Sequence, residues 1–424
     1  MASEWRETTL DKLGPIVTGR TPPAAGPDAF GGTIPFVTPT DMDGRRIVSE
    51  TGRYLARSGA ASVSPARIPT GAVMVSCIGS DMGKAAIAGR DCVTNQQINS
   101  IVVTSGDDPL YVYYDLSRRK SEIRQAASGS AQPILNKSAF GRLPIRLPPP
   151  NEQRRIAGIL GGLDDKIDLN RRMSRTLESM ACALFQSWFV DFDPVRAKSE
   201  GRDPGLAPYL ADLFPDSFDD SEVGEIPRGW RTCGLDEIAD YLNGLALQRF
   251  PPNDGRALPV IKIAQLHAGN TDGADEASAD IPSDYVVDDG DVLFSWSGSL
   301  SVELWCGGPG ALNQHLFKVT SRLFPRWFYY QWTRQHLSAF REIAAGKATT
   351  MGHIQRQHLS DAKVTVPSAT VLEALDLVCG PITEESWRIR VQARDLAAIR
   401  DSVLPVLLAG SPDTDTVIGS VVGR

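Results

Sequence analysis

The stretch Gly71-Ala-Val-Met-Val-Ser-Cys-Ile-Gly-Ser80 has a counterpart in Gly290-Asp-Val-Leu-Phe-Ser-Trp-Ser-Gly-Ser299, which lies 219 positions (290 − 71) further along the 424-residue chain. Other short patterns repeat in the same order: Trp5-Arg6, Leu10-Asp11 and Gly19 return as Trp230-Arg231, Leu235-Asp236 and Gly244, and Asn95-Gln96-Gln97-Ile98 returns as Asn313-Gln314-His315-Leu316. An internal duplication of this size predicts two pseudo-equivalent domains and approximate two-fold symmetry within one polypeptide. Such a molecule is suited to recognising a target that has two parts, one for each domain.

Each copy is predicted to be rich in strands and to contain a helix. The expected strands are Ile34–Val37, Ala72–Ile78, Ile98–Val103, Val260–Ile263, Val292–Trp296 and His315–Val319. Helices are expected over Pro109–Arg124 and Pro325–Ile343. The Gly-Ser pair after each central strand lets the chain turn sharply. Two interpretations of this turn stay open: an ordinary hairpin turn, or a turn that presents amides and hydroxyls to a ligand.

A long helix with a heptad pattern follows each copy. Steps alternating between four and three residues join Ile156, Leu160, Leu163, Ile167, Asn170, Ser174, Leu177, Ala181, Leu184 and Trp188. The second seam joins Leu375, Val378, Ile382, Glu385, Ile389, Gln392, Leu396, Ile399, Val403 and Val406. We expect Asn151 to cap the first helix, and Pro381 and Pro405 to limit the regular part of the second to about 382–404. The narrow seam favours pairing of the two helices, with Asn170, Glu385 and Gln392 fixing their register. The alternative is that each helix packs only on its own domain.

Composition and charge are typical of an intracellular protein of two or three domains. Apolar residues make up 42% of the chain, the net charge is −7, and the acidic side chains are concentrated in residues 199–224, which are predicted to form an irregular linker. No membrane span or leader is expected, so the predicted location is cytoplasmic. The six cysteines and five histidines do not have the spacing of a disulfide framework or a zinc site. The acidic balance also disfavours a stand-alone nucleic-acid binder, because phosphate contacts supply most of the affinity for DNA.

Catalytic motifs are missing from the sequence. Gly79-Ser-Asp-Met-Gly83-Lys84-Ala85 resembles a phosphate loop, but it has three intervening residues where four are needed and Ala where a magnesium-binding hydroxyl is needed. There is no HExxH, GxSxG or GxGxxG signature, and no Asn/Asp-Pro-Pro-Tyr/Phe tetrapeptide of an amino-methyltransferase. We therefore predict no catalytic residue and no metal site, and expect a chain that recognises its target without reacting with it.

Several motifs resemble one known family. Leu147-Pro-Pro-Pro-Asn-Glu-Gln-Arg-Arg-Ile156, Leu163-Asp-Asp-Lys-Ile-Asp-Leu-Asn-Arg-Arg-Met173 and Ser187-Trp-Phe-Val-Asp-Phe-Asp-Pro194 resemble the central conserved region of specificity subunits of Type I restriction-modification systems. Gly224–Trp230 resembles the start of their second target recognition domain, and Gly346–Ile354 resembles the segment that precedes their distal helix. The resemblance covers nearly the whole chain. One departure is Leu372-Glu373-Ala374, where the family often repeats Glu-Gln.

The resemblance implies an α/β (α+β) fold with two duplicated strand-rich target recognition domains separated by two long antiparallel coiled-coil helices. The implied boundaries are residues 1–150 and 225–370 for the recognition domains, 151–198 and 371–410 for the helices, 199–224 for the linker and 411–424 for a tail. Each domain would read one half of a split site in double-stranded DNA. Two methyltransferase subunits and the motor-nuclease (restriction) subunits would assemble on the chain. S-adenosylmethionine, ATP and Mg would belong to those partners and not to this chain.

Candidate DNA contacts are polar and basic residues in predicted loops, because Arg and Lys suit guanine edges and Asn and Gln suit adenine. In the first copy they are Arg20, Thr21, Arg45, Arg46, Ser80, Lys84, Asn95, Gln96 and Gln97. In the second copy they are Asn243, Gln248, Arg249, Ser299, Asn313, Gln314 and His315. For each of them, the alternative is a solvated surface residue without a role in binding. The Asn-Gln pair that is repeated at 95 and 313 also fits a structural role common to both domains. Two other functions stay open: a coiled-coil scaffold without a DNA role, and a methyltransferase or nuclease in its own right.

Overall fold

The computed structural model describes residues 5–23, 29–127, 133–252, 255–346 and 352–409. Two compact units are present: the first comprises Met1–Lys166 with Leu396–Arg424, and the second comprises Ile167–Asp395. Each unit contains one copy of the duplicated domain and a part of each long helix. No helix within the described part of the chain is both long and apolar enough to cross a membrane.

Eleven strands and four short helices are described in the first copy. The strands are β1 (Arg6–Thr9), β2 (Ile16–Thr18), β3 (Phe30–Val37), β4 (Ile47–Val48), β5 (Tyr54–Leu55), β6 (Arg67–Ile68), β7 (Val73–Ser76), β8 (Ala85–Ala88), β9 (Cys92–Thr94), β10 (Ile98–Ile101) and β11 (Pro144–Leu147). The helices are α1 (Arg57–Ser62), α2 (Pro109–Ser117), α3 (Lys120–Gln125) and α4 (Lys137–Gly141). The strands form sheets of order β2-β10-β7-β8-β4 and β5-β3-β9-β6, and β1 pairs with β11.

The second copy repeats this plan. Its strands are β12 (Phe218–Ser221), β13 (Gly224–Pro227), β14 (Arg231–Gly234), β15 (Asp240–Asn243), β16 (Ala257–Ile261), β17 (Glu276–Ser278), β18 (Val286–Val287), β19 (Val292–Ser295), β20 (Ser301–Leu304), β21 (Gly310–Leu312), β22 (Leu316–Thr320) and β23 (Lys363–Val366). Among the described strands, the sheet β15-β22-β19-β20 matches β2-β10-β7-β8 of the first copy and lacks a counterpart of the fifth strand β4. The sheet β17-β16-β21-β18 matches β5-β3-β9-β6, and β14 pairs with β23 as β1 pairs with β11. The duplication read from the sequence is therefore a duplication of topology.

The remaining helices lie between the two copies, within the second copy and after it. They are α5 (Pro150–Phe185), α6 (Asp193–Ser199), α7 (Pro208–Ala211), α8 (Leu235–Ile238), α9 (Ile263–Ala268), α10 (Arg326–Gln335), α11 (Leu337–Gly346), α12 (Arg356–Asp361) and α13 (Ala369–Ala409). A π-helical turn, Gln186–Val190, follows α5 directly.

The predicted central strands are confirmed in both copies, whereas the predicted helices are each interrupted. The helix expected over 109–124 is divided into α2 and α3, because Arg119 leaves the helical path and its guanidinium bonds Asp115 and the Pro144 carbonyl. The helix expected over 325–343 is divided into α10 and α11 at His336, whose ring bonds the Lys363 carbonyl. Both interruptions depend on residues far along the chain, which local periodicity does not reveal.

Both long helices exist, with two corrections. Asn151 is not the cap of α5, because the helix already begins at Pro150. The prediction that Pro381 and Pro405 limit the second helix is wrong, because α13 runs through both prolines. A proline removes one backbone hydrogen bond, and such a loss bends a helix without ending it where packing holds both flanks. Leu375 and Leu407, on the outer flanks of the two prolines, are both fully buried.

The two helices run antiparallel where both lie in the second unit. Asn170 donates its side-chain amide to Gln392 at 2.8 Å, and Glu178 pairs with Arg390 at 3.3 Å. Asn170 is 1% exposed, as expected for a polar residue that fixes register. In the first unit, Ile156 and Leu160 of α5 share one apolar core with Val403 of α13 and with the strand-rich domain. Pairing and packing on the domain therefore occur together.

The seam of α13 agrees with the predicted one at Leu375, Ile389 and Val403, which are buried, and differs at other positions. Glu385 and Gln392 are exposed, Ile382 is half-buried, and Ile399 is 37% exposed. Between those buried positions, the sheltered residues are the smaller Cys379, Thr383, Ser386 and Ala393. The seam of α5 agrees better with expectation: Ile167 is buried, and Leu163, Leu177 and Leu184 are half-buried, as is Leu396 of α13.

The acidic segment 199–224 is not an irregular connector. It contains α7 and β12, and β12 pairs with β13 as a hairpin. Phe214 is 1% exposed and packs against Trp188 and Trp230. Phe214 therefore packs this acidic segment into the core of the second unit.

Candidate nucleic-acid interface

Three loops meet at one end of the β2-β10-β7 sheet. We call this place the first corner and define it as Gly19–Thr21, Cys77–Ser80 and Asn95–Gln97. The Gly19 amide donates to the Ile98 carbonyl at 3.0 Å, and the Arg20 amide donates to the Thr94 carbonyl at 2.8 Å. A Cβ atom on Gly19 would lie 2.0 Å from the Asn95 carbonyl oxygen, so this close approach requires glycine.

The first corner brings several of the predicted DNA contacts together but gives them different roles. Asn95 is 8% exposed, and its side chain accepts from the Gln97 amide and donates to the Gln97 side chain. It therefore holds the loop. Thr21 donates its hydroxyl to Gln96 at 2.6 Å, and both residues are exposed. Arg20, Thr21 and Gln96 thus present donors and acceptors to solvent.

The Gly-Ser turn at this corner is held by an arginine that the sequence analysis missed. Arg124 of α3 donates to the Ser80 carbonyl at 2.5 Å and to the Met82 carbonyl at 3.3 Å. The turn is a hairpin between β7 and β8, with Gly79 at φ +80° and Ser80 exposed. Lys84 lies at the far side of the turn, where it pairs with Asp81 at 2.9 Å and donates to a backbone carbonyl.

Arg46 is not a DNA contact. Its guanidinium is buried at 7% exposure, where it donates to the Gly161 carbonyl at 3.0 Å, to Asp165 and to the Tyr114 hydroxyl. A buried cation held by three acceptors fastens the strand-rich domain to α5 and cannot reach a base without leaving those acceptors. Arg45 next to it lies at the surface, where it pairs with Asp43 at 2.9 Å.

The second copy has an equivalent place, which we call the second corner: Asn243–Leu245, Trp296–Ser299 and Asn313–His315. The Gly244 amide donates to the Leu316 carbonyl at 3.0 Å, matching the bond made by Gly19. A Cβ atom on Gly244 would lie 2.2 Å from the Asn313 carbonyl oxygen. Asn313 is 4% exposed and accepts from the His315 amide, as Asn95 accepts from Gln97. The repeated glycine and asparagine therefore make the same structural contact in each copy.

The side chains at the second corner form a larger polar and aromatic group. Trp296 donates its indole N–H to the side-chain Oδ1 of Asn243 at 2.9 Å. His315 bonds the Ser297 hydroxyl at 3.1 Å through Nδ1, and its Nε2 lies 3.3 Å from the Gln314 amide nitrogen. Asn243 is the last residue of β15 and the other groups lie in loops that follow strands, so the sheet fixes where they are.

A cavity of about 430 Å³ opens at the second corner. The described residues that line it are Asn243, Trp296, Phe317, His353, Ile354, Gln355 and Arg356. Arg356 lies with its guanidinium carbon 5.8 Å from the centre of the Phe317 ring and donates to the Tyr241 carbonyl. Trp296, His353, Gln355 and Arg356 were absent from the predicted site. The one signal in the sequence was Trp296 itself, an aromatic residue where the first copy has Cys77.

The remaining candidates of the second copy are Gln248, Arg249 and Ser299. Gln248 and Arg249 are exposed on the short helical turn Leu247–Arg249. Ser299 is exposed in the Gly-Ser turn, which Arg341 of α11 holds by donating to the Leu300 carbonyl at 2.9 Å. Arg341 thus does for the second turn what Arg124 does for the first.

The described residues contain no group of three or more His, Cys, Asp or Glu side chains arranged to hold a metal ion. The six cysteines are unpaired. Burial raises the pKa of the Cys77 thiol to about 11, which makes it a poor nucleophile where it stands next to the first corner. The arrangement at both corners is therefore suited to hydrogen bonding and stacking.

Known proteins resemble this chain over most of its length. Residues 2–179 match the family model described as a Type I restriction modification DNA specificity domain. The MjaIX specificity subunit of Methanocaldococcus jannaschii is 24% identical over 420 residues, which is 96% of this chain and 93% of that protein. The HindI specificity subunit of Haemophilus influenzae is 24% identical over 338 residues, covering 68% and 73%. The Type I S subunit structure from M. genitalium shares the fold, with a TM-score of 0.59, 15% identity and 96% of each chain covered.

Proposed function

We propose that this chain is a Type I restriction-modification DNA specificity subunit, like the relatives it resembles, and that it reads an asymmetric, two-part sequence in double-stranded DNA, with one recognition domain on each half. The chain is the non-catalytic recognition component of such a system. The first domain would read through the first corner and the second domain through the second corner.

One observation carries the proposal: the two corners have the same backbone frame but expose different side chains. Arg20, Thr21 and Gln96 are exposed at the first corner. At the second corner the corresponding loops present Gln314 and His315, both half-buried. Hydrogen-bond donors and acceptors of this kind suit the edges of base pairs in the major groove, where each base pair has a distinct pattern. A common frame with unlike reading groups predicts two unlike half-sequences.

The charge of the chain supports a dependence on partners. Its net charge is −7, whereas contacts to phosphates need positive charge and supply most of the affinity for DNA. We therefore propose that two methyltransferase subunits complete the DNA-binding surface and that motor-nuclease subunits join the full complex. S-adenosylmethionine, ATP and Mg would bind to those subunits.

An exposed apolar stripe on α5 is the surface we assign to a methyltransferase subunit. Leu169, Met173 and Met180 are 42%, 43% and 48% exposed and lie on one face of the helix, at intervals of four and seven residues. Large apolar side chains grouped on an exposed face indicate an interaction site. Unbranched methionines also adapt well to a partner surface.

Domain exchange tests the proposed function. Replacing residues 225–370 by the corresponding domain of another family member should change one half of the methylated sequence and leave the other half unchanged. The measurement is mapping of methylated positions in DNA from cells that contain the chain and its partners. A continuous palindrome, or an exchange that alters both halves, would contradict the proposal.

A second measurement separates this function from that of a scaffold without a DNA role. In a shift assay at fixed salt, the chain alone should bind DNA weakly and with little preference, and the complex with two methyltransferase subunits should bind tightly to the mapped sequence. A scaffold would give no sequence preference in either state. Equal specificity from the isolated chain would refute the dependence on partners.

A further inference from the structure

The two corners correspond residue by residue. Cys77 directly follows β7 and Trp296 directly follows β19. Each accepts a backbone hydrogen bond from the segment before α4 or α12: Leu135 N to Cys77 O at 2.9 Å, and Ile354 N to Trp296 O at 3.0 Å. The neighbouring bridges are also equivalent, Ile78 with Ile134 and Ser297 with His353. Strand register pairs Thr18 with Asn99 and Asn243 with Phe317.

Four positions of the first corner therefore have structural equivalents in the second corner, and the side chains differ in chemistry within each pair. The pairs are Thr18 and Asn243, Cys77 and Trp296, Asn99 and Phe317, and Ile134 and His353. Since the backbone bonds around them are matched, these side chains decide what each corner admits.

The first corner is filled at these positions by its own side chains. Thr18 donates its hydroxyl to the side-chain Oδ1 of Asn99 at 2.7 Å, and the side-chain Nδ2 of Asn99 donates to the Leu135 backbone carbonyl at 3.2 Å. Asn99 is 3% exposed and Cys77 is 1% exposed. The polar groups of Thr18 and Asn99 are bonded within the protein, so these positions of the first corner offer few hydrogen-bonding groups to a ligand.

The second corner is open at the same positions. Trp296 and Phe317 form an aromatic wall, with ring centres 5.8 Å apart, and the 430 Å³ cavity lies against it. The rim carries His353, Gln355 and Arg356, and none of the described residues that line the cavity is acidic. A ligand for this place has an apolar edge for the aromatic wall and hydrogen-bonding groups for the rim.

Thymine fits that description best among the four bases. Its major-groove edge has a 5-methyl group beside the O4 acceptor, whereas guanine, adenine and unmodified cytosine present no apolar group there. We propose that the second corner selects a thymine in the half-sequence read by the second domain, with its 5-methyl group against Trp296 and Phe317. This inference rests on the proposed function. It adds the base and the residues that select it.

Deoxyuridine provides the test, because it differs from thymidine only by the missing 5-methyl group. Each thymine in the mapped site is replaced singly by deoxyuridine, and affinity is measured for the complex with its methyltransferase subunits. We expect one position in the second half-sequence to lose about fourfold in affinity, the loss that corresponds to one buried methyl group. In the first half-sequence, no replacement should depend on the residue at position 296.

Variants that copy the first corner serve as matched probes. Trp296→Cys should reduce the ratio of the affinities for thymine-containing and uracil-containing DNA at that position from about four to about one. His353→Ile should leave the protein folded and weaken DNA binding without removing that affinity ratio. Cys77→Ala, at the equivalent place in the first corner, should leave the ratio unchanged. Thermal unfolding of each variant identifies any that fail to fold.

Three outcomes would overturn the inference: no thymine in the second half-sequence, no position sensitive to the missing methyl group, or full discrimination retained by Trp296→Cys. In each case the wild-type complex still binds its mapped site, so the proposed function stands. Failure of the proposed function is distinct, because the wild-type complex would then show no preference for the mapped site over unrelated DNA.

Discussion

Replacing Gln153 by Leu should destabilise the first unit selectively. Gln153 is fully buried at the start of α5, where its amide nitrogen donates to Asp107 and to the Pro148 carbonyl, both at 2.8 Å, and its carbonyl oxygen accepts from the Asp108 amide at 2.9 Å. The second copy has Leu372 at the equivalent position, buried in an apolar core. The substitution thus places the residue of one copy into the other.

The expected cost follows from the three lost hydrogen bonds. Asp107 keeps its bonds to Arg6 and Ser105, but the Asp108 amide and the Pro148 carbonyl lose a buried partner. An unsatisfied buried polar group costs about 1–3 kcal/mol, and the added apolar burial of Leu offsets part of the sum, so we expect a loss of about 3 kcal/mol. That corresponds to roughly a 100-fold larger unfolded population.

Pulsed thiol labelling measures this loss within one molecule. Burial raises the pKa of Cys77 to about 11 and that of Cys92 to about 12, so both thiols of the first unit react mainly after opening. Cys306 and Cys379 are the buried references in the second unit. Gln153→Leu should accelerate labelling of Cys77 and Cys92 roughly 100-fold and leave the references unchanged.

A control and a contrary result complete the design. Arg154→Leu introduces the same residue, leucine, at the next position, which is exposed, and should not change the labelling rates. Acceleration below threefold at Cys77 and Cys92, or equal acceleration of all buried thiols, would refute the assignment of Gln153 as the polar link between α5 and the start of α2.

Three other predictions follow from contacts described above. Gly244→Ala, whose new Cβ would collide with the Asn313 carbonyl, should abolish discrimination in the second half-sequence only, whereas Gly162→Ala, with nothing within 4 Å of the new Cβ, should leave both halves intact in a methylation assay. Met173→Asp on the exposed stripe should prevent methyltransferase subunits from co-eluting in gel filtration without lowering the melting temperature, and a melting shift of several degrees would point to a folding role instead. Burial lowers the pKa of His336, so its contribution to stability is present above the unfolded value of about 6.5 and is lost as pH falls through the folded pKa. The urea midpoint followed by tryptophan fluorescence, which reports mainly the second unit, should fall between pH 7.5 and 5.5, less so in His336→Gln.

The duplication and the long helices could be predicted from the sequence because both depend on local or repeated patterns. Gly19 and Gly244 recur because each allows the same close approach to a carbonyl. The heptad pattern of α5 follows from a seam that returns every 3.5 residues. The departure at Leu372 was also visible in the sequence, although its meaning was not.

The tertiary structure alone determined which residues come into contact when they are distant along the chain. Arg46 is a loop arginine like Arg45 by sequence, and only the fold places it against Gly161 and Asp165, more than a hundred positions away. Trp296 and His353 line one cavity although 57 positions (353 − 296) separate them. Helical and strand periodicity encode which face of an element is apolar, and therefore which elements exist. They do not encode which loops meet at the end of a sheet, because that depends on strand order and register, which the packing of the whole domain determines.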